Sequence, residues 1–209
     1  MSKTIFVTGT DTNVGKTVLS ALLVAALGGT YWKPIQTGSR EGTDRQQVMR
    51  WADILEARTI PECYCFEPPV SPHLAAERAG MRIDLAQIRT PNVATSRLTI
   101  EGAGGVMVPI NERETMIDLM RHIGAPAVIA SRTALGTINH TVLTVQALRG
   151  AGIEMKGVAM IGEENAENER AIAHYGDVPI IGRIPMLNCI CYRTLVQTFE
   201  AEFDREAFA

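Results

Sequence analysis

The 209 residues are 46% hydrophobic and 21% charged, with a net charge of −3 and an isoelectric point near 5.8. A chain of this length buries a large core without disulfides or structural metal, and one domain over residues 1–209 is expected. The composition excludes the basic face that a nucleic-acid backbone demands. No apolar run is long enough to cross a bilayer, and Met1–Gly9 reaches glycine too soon for a secretory signal core; the expectation is a cytoplasmic protein with neither nucleic acid nor membrane as partner.

Thr4 to Thr8 is short, β-branched and apolar, and reads as a buried strand stopping at Gly9. Lys16 to Leu27 follows as a helix closed by Gly28-Gly29, and Thr30 to Lys33 as a second strand closed by Pro34. Asp44 opens a helical pattern running through Val48, Trp51, Ile54 and Leu55. The proline-punctuated middle predicts a helix from about Pro72 to Ala79 and a short one from Asp84 to Arg89. Regular alternation then resumes, with strands at 97–101, 127–130, 157–161 and 179–182. Helices are expected at 116–123, 137–149, 166–175 and from 195 to 203 or beyond. Solid apolar strands alternating with helices imply a doubly wound, mostly parallel sheet with helices on both faces, a P-loop NTPase-like α/β fold. The chemistry-bearing segments all follow predicted strands, where such sheets collect their ligands.

The first of these segments is Gly9-Thr10-Asp11-Thr12-Asn13-Val14-Gly15-Lys16-Thr17. A strand, a glycine turn and a helix opening on Gly-Lys-Thr is the context of a phosphate-binding loop. Its backbone N–H groups and helix dipole hold the phosphates, Lys16 supplies a point charge, and Thr17 offers a hydroxyl to Mg²⁺. Five residues separate Gly9 from Gly15, one more than the general pattern. Mg²⁺ asks for hard oxygens, and Glu101, ending a buried strand before Gly102-Ala103-Gly104-Gly105, is the first carboxylate candidate. Asp44 is the second, although alone it also suits a helix N-cap. Lys33 stands at a strand end, where its charge can stabilise phosphoryl transfer or simply face solvent. The helix start at Leu135-Gly136-Thr137-Ile138-Asn139 can hold a carboxylate or be an ordinary capped terminus. The two Cys-x-Cys pairs, Cys63/Cys65 and Cys189/Cys191, lack zinc spacing and read as free, mostly buried or incidental thiols.

Taken in order, the phosphate loop, Lys33-Pro34-x-x-Thr37-Gly38, Ser71-Pro72-His73, Glu101-Gly102-Ala103-Gly104-Gly105, Leu135-Gly136-Thr137-Ile138-Asn139-His140 and Gly182-x-Ile184-Pro185 resemble dethiobiotin synthetase, over residues 4 to about 187. The longer loop spacing is the one that family uses. The resemblance implies a Mg²⁺- and ATP-dependent reaction. 7,8-Diaminopelargonate forms a carbamate with CO₂, ATP phosphorylates it, and the second amine closes the ureido ring. It implies Lys16 and Lys33 as catalytic groups and Thr17, Asp44 and Glu101 as metal ligands. The nucleotide is held by Asn13 to Val18, Asp44, Glu101 to Gly104, Gly162, Ile184, Pro185 and Met186. The substrate is held by Thr12, Lys33, Thr37 and the stretch from Leu135 through Gly136, Thr137 and Ile138 to Asn139, the latter from the neighbouring subunit of a homodimer.

The chain departs from the family twice. Asn13 replaces a frequent acid. Ile161-Gly162-Glu163-Glu164 lacks the asparagine whose amide reads the adenine edge, which predicts weakened or altered base selectivity, with other nucleoside triphosphates accepted. Two other readings stand beside this one. A switch or partitioning ATPase acting through protein partners carries a Lys-Gly-Gly-x-Gly-Lys loop, where this chain has Gly9-Thr10-Asp11. An amide-forming cofactor-biosynthesis enzyme is usually longer, with a glutamine-hydrolysing domain.

Overall fold

The structure is a computed structural model and describes residues 3–209. Its first half holds β1 (Lys3–Gly9), α1 (Lys16–Leu27), β2 (Thr30–Trp32), β3 (Ile35–Thr37), α2 (Asp44–Trp51), β4 (Thr59–Ile60), β5 (Tyr64–Phe66) and α3 (Pro72–Arg78). The second half holds β6 (Arg97–Glu101), α4 (Met116–Ile123), β7 (Ala127–Arg132), α5 (Thr137–Gly150), β8 (Met155–Ile161), α6 (Ala166–Gly176), β9 (Ile180–Ile184) and α7 (Tyr192–Glu202). Seven strands form one parallel sheet in the order β4-β2-β6-β1-β7-β8-β9. β1 lies between β6 and β7, with Val7 opposite Glu101 and Gly9 opposite Ala130, so the chain leaves it at a crevice above the carboxyl ends.

The two-residue period of each strand divides the core into two layers. Phe6, Trp32, Leu98, Ile100, Ile129, Val158 and Met160 pack beneath α3 to α6. Val7, Tyr31, Val128, Ala130, Ala159 and Ile181 pack beneath α1, α2 and α7. This alternation governs chemistry as well. Tyr31 and Lys33 share the α1 face, as do Thr99 and Glu101, because Trp32 and Ile100 take the other. No helix among the described residues is long and apolar enough to cross a membrane.

Several expectations shift. β7 extends two residues further than expected, to Arg132, and β8 begins two residues earlier, at Met155. α2 stops at Trp51, because Ala52 caps it and Asp53 turns to φ 50; Ile54 is buried after the turn and Leu55 faces solvent. Thr43, not Asp44, is the N-cap of α2: its hydroxyl accepts the Gln46 N–H while the Gln46 side chain accepts the Thr43 N–H, a reciprocal capping box. The expected helix at 84–89 is one 3₁₀ turn, Leu85–Gln87. The β3–β5 pair is a small parallel sheet with no alternation long enough to announce it. The four cysteines are free as expected, but Cys63, Cys65 and Cys189 are exposed.

Candidate active site

The loop between β1 and α1 is built on two positions that tolerate no side chain. A Cβ on Gly9 would lie 2.6 Å from Val14 Cγ2, and one on Gly15 would lie 2.9 Å from Ile161 Cγ2. Gly15 also sits at φ 96, where L-residues are strained, and caps α1 with no side-chain hydrogen bond. The N–H groups of Asn13 to Val18 consequently have no acceptor among the described residues. A run of inward N–H groups at a helix start is a ready anion site. Lys16 is buried and folds back, its ammonium donating to Asp11 O at 2.8 Å. Burial, partly offset by Glu101 and reinforced by Lys33, lowers its pKa from 10.5 to about 8.

Beside the loop, four of the residues singled out by sequence converge. Glu101 Oε1 accepts from Thr17 Oγ1 at 2.9 Å and from Lys33 Nζ at 3.1 Å. Lys33 Nζ also pairs with Asp44 Oδ2. Burial opposes the Lys33 charge, but the Glu101 and Asp44 carboxylates outweigh it and hold the ammonium above its usual value. The hydroxyl and the two carboxylates are hard oxygen donors, and the Lys33 ammonium stands beside them as a fixed positive charge. Among the described residues no group of three or more His, Cys, Asp or Glu could hold a metal alone. The site therefore fits an ion completed by phosphate oxygens and water, the habit of Mg²⁺.

Two supporting side chains escaped the sequence reading. Tyr31 is fully buried and donates its hydroxyl to Glu101 Oε2 at 3.0 Å. Burial and then the Glu101 charge push its phenol well above 10, so it is a fixed donor. Gln36, also buried, accepts the Asp44 N–H at 3.1 Å and so ties the start of α2 to β3. For Tyr31 the signal was the spacing Tyr31-x-Lys33, which puts Tyr31 and Lys33 on one strand face, but nothing local pairs that face with β6; Gln36 carried no signal.

The remaining expected residues lie around this cluster without joining it. Gly102 follows β6, its N–H donating to Val7 O, and a Cβ there would meet the Phe6 ring at 2.9 Å. Ala103 is buried and Gly104 turns at φ 67, with Thr12 Oγ1 3.6 Å from where its Cβ would stand. Thr37 ends β3, apart from the Lys33 hydrogen bonds. Gly162 N–H donates to Ile184 O at 2.9 Å, which brings Gly162, Ile184 and Pro185 to one edge of the crevice, and Met186 is exposed there. At the start of α5, Gly136 turns at φ 93 without a side-chain cap, and Thr137 Oγ1 packs 2.8 Å from Ser131 Oγ. The Ile138 and Asn139 N–H groups have no acceptor among the described residues, and Leu135 is fully exposed. A groove of about 410 Å³ opens between Asp11, Gly105 and Pro109 on one side and His140, Leu143 and Thr144 of α5 on the other.

A parallel sheet, a glycine-bounded loop with free N–H groups, and a buried Lys/Thr/carboxylate cluster define a P-loop NTPase-like α/β protein. Solved structures agree on the fold. A ParA family ATPase from Chlorobium tepidum superposes with a TM-score of 0.53 at 10% identity, covering 94% of this chain and 97% of that one. A chain of the MinC:MinD cell division protein complex of Aquifex aeolicus gives 0.55 at 13% identity, covering 94% and 86%. The AAA domain family AAA_26 matches residues 3–190. Full-length relatives are far more similar in sequence. The ATP-dependent dethiobiotin synthetase BioD of Rhodopseudomonas palustris strain HaA2 is 46% identical, covering 100% of this chain and 97% of its own length. The Nitrobacter hamburgensis enzyme of that name is 47% identical over 100% and 98%, and that of Novosphingobium aromaticivorans 45% over 97% and 98%. This chain belongs to the ATP-dependent dethiobiotin synthetase family.

Proposed function

We propose that this protein carboxylates 7,8-diaminopelargonate with CO₂ and closes the ureido ring at the expense of ATP, giving dethiobiotin, ADP and phosphate. The observation that carries the reading is the meeting of Lys33, Thr17 and Glu101 beside the loop, with Lys33 Nζ 3.1 Å and Thr17 Oγ1 2.9 Å from one carboxylate oxygen. Family membership over the full length supports it.

In this reading the N–H groups of Asn13 to Val18 hold the phosphates, and Lys16 neutralises their charge. Thr17, Asp44 and Glu101 would hold Mg²⁺, whose charge would offset that of the phosphates. One diaminopelargonate amine attacks CO₂ and loses a proton, leaving a carbamate. The carbamate oxygen attacks the γ-phosphorus and ADP leaves. Lys33 is the cation placed against the charge that accumulates on the transferred group. The second amine then attacks the carbamic-phosphoric anhydride carbon, the C–O bond to phosphate breaks, and the ring closes. Nothing in these steps demands strong acid–base catalysis, so alignment and electrostatics carry the rate. Thr12 and Thr37 flank the carbamate end, and the free N–H groups of Ile138 and Asn139 suit the far carboxylate.

Gly102 to Gly104 shape the nucleotide wall, and Gly162, Ile184, Pro185 and Met186 form the base subsite. The exposed Met107 and Leu143 lining the 410 Å³ groove, and the exposed Leu135 before α5, support a homodimer with sites near its interface. One sheet holding strands from β1 to β9 supports a single domain, and a cytoplasmic setting is part of the same reading. The deciding experiment incubates the protein with Mg-ATP, bicarbonate and diaminopelargonate and seeks dethiobiotin by mass. Folded, nucleotide-binding protein that yields no product would overturn the proposal.

A further inference from the structure

β7 delivers one side chain to the phosphate loop that the reaction above does not use. Its Ala130 lies opposite Gly9 of β1, and Ala130 O accepts the Thr10 N–H at 3.1 Å. Arg132 is two residues further along the strand, so it projects from the same face as Ala130, the face that α1 covers. The guanidinium therefore rises beside the outer wall of the loop. Its Nη2 donates to Thr12 O at 3.0 Å and to Asn13 O at 3.3 Å.

Those two acceptors are consecutive peptide carbonyls. In a trans peptide, C=O and the next residue's N–H point in opposite directions. Holding Thr12 and Asn13 carbonyls outward turns the N–H groups of Asn13 and Val14 inward, and these are among the donors without an acceptor. The cation also polarises both peptides, which makes their N–H groups stronger donors to an anion. Asn13 lies at φ 57, a left-handed geometry that asparagine tolerates better than most L-residues, and the Arg132 contacts add a tertiary hold to that local preference.

We propose that Arg132 is a positioning residue for the phosphate loop: by clamping the Thr12 and Asn13 carbonyls from outside, it fixes the Asn13 and Val14 N–H groups toward the β- and γ-phosphates. It acts on the nucleotide through the loop. The inference rests on the phosphate-binding reading of the loop and on no particular second substrate. Lysine carries the same charge on a flexible stem without the planar guanidinium that fixes the direction of the donors, so it is expected not to restore the clamp.

The test compares the full-length wild type with Arg132→Lys and Arg132→Ala. It measures ADP affinity by calorimetry, ¹⁵N order parameters of Asn13 and Val14 in nucleotide-free protein, and the melting temperature. Both variants are expected to melt near the wild type, since Arg132 is exposed. Both should weaken ADP binding roughly tenfold and drop the two order parameters from about 0.85 toward about 0.6. Lysine restoring wild-type affinity would mean that charge alone matters, and would overturn the clamp. Unchanged order parameters would overturn it too, even with weaker binding, because they would assign Arg132 to a direct phosphate contact. A wild type that binds no ADP would fail at the earlier step, the phosphate reading itself.

Discussion

The Tyr31 hydroxyl donates to Glu101 Oε2 at 3.0 Å, and that single bond leaves Oε1 as the oxygen facing Thr17 and Lys33. β2 and β6 pair in parallel with Tyr31 opposite Thr99, so Tyr31 and Glu101 are diagonal neighbours on one face. A buried carboxylate with one oxygen pinned cannot rotate away. Tyr31→Phe keeps the ring and its packing but leaves Oε2 without its donor. It should cost about 1–3 kcal/mol of stability and raise several-fold the Mg²⁺ concentration needed for half-maximal activity. Chemical denaturation and a metal titration read the two effects separately; an unchanged titration would remove Tyr31 from the site's support.

Lys33 carries the largest expected kinetic effect. Lys33→Ala should lower kcat by roughly 10²–10³, the range seen when a preorganised transition-state partner is lost. Nucleotide affinity should change only a few-fold, because the loop N–H groups and Lys16 remain. Stopped turnover with ADP binding intact is the expected pattern. Comparable losses in both would make Lys33 a ground-state ligand.

The pH dependence follows from Lys16. Its pKa in the nucleotide-free protein is about 8, below the ordinary 10.5. Near pH 8.5 much of the free protein therefore holds Lys16 neutral, while a bound polyphosphate favours the ammonium. Binding should take up close to one proton there and none near pH 6, and affinity should fall as pH rises through 8. Calorimetry in buffers of different ionisation enthalpy measures the uptake. A flat profile between pH 7 and 9.5 would show that the Lys16 proton is not linked to the nucleotide.

Gly15 is a third lever. Alanine there must adopt φ 96 and bring its Cβ within 2.9 Å of Ile161 Cγ2. The left-handed geometry alone costs about 1–2 kcal/mol, and the clash pushes the α1 start away from β8. Gly15→Ala should lose nucleotide binding by more than tenfold while circular dichroism stays native. Binding at wild-type strength would contradict the loop geometry described.

Base preference is the last. The proposed base subsite at Gly162, Ile184 and Pro185 would offer backbone groups and apolar surface, and Gly162 N–H already donates to Ile184 O. A pocket without a side-chain amide pair discriminates weakly. ATP, CTP and GTP should support turnover within about tenfold of one another, compared as kcat/KM. Exclusive use of ATP would show that another group reads the adenine edge.

Much of this molecule could be read from the chain because the signals are local. Gly9 to Thr17 states strand end, turn and helix start within nine residues. The strand at 97–101 and the helix at 116–123 fall where expected, because their apolar periods and glycine or capping stops are self-contained. Lys33, Asp44 and Glu101 could be singled out by type and by position after strands or at a helix start. Tertiary structure decided what touches what. Only the β2–β6 register aligns Tyr31 with Glu101, and only the β1–β7 register lifts Arg132 to the loop. The β3–β5 pair is non-local too: it joins Ile35–Thr37 to Tyr64–Phe66, and each strand is three residues long. Hydrophobic period and turn chemistry act over a few residues and are written in order along the chain. Strand register and side-chain hydrogen bonds join residues 70 to 120 apart, and are determined only when the whole sheet closes.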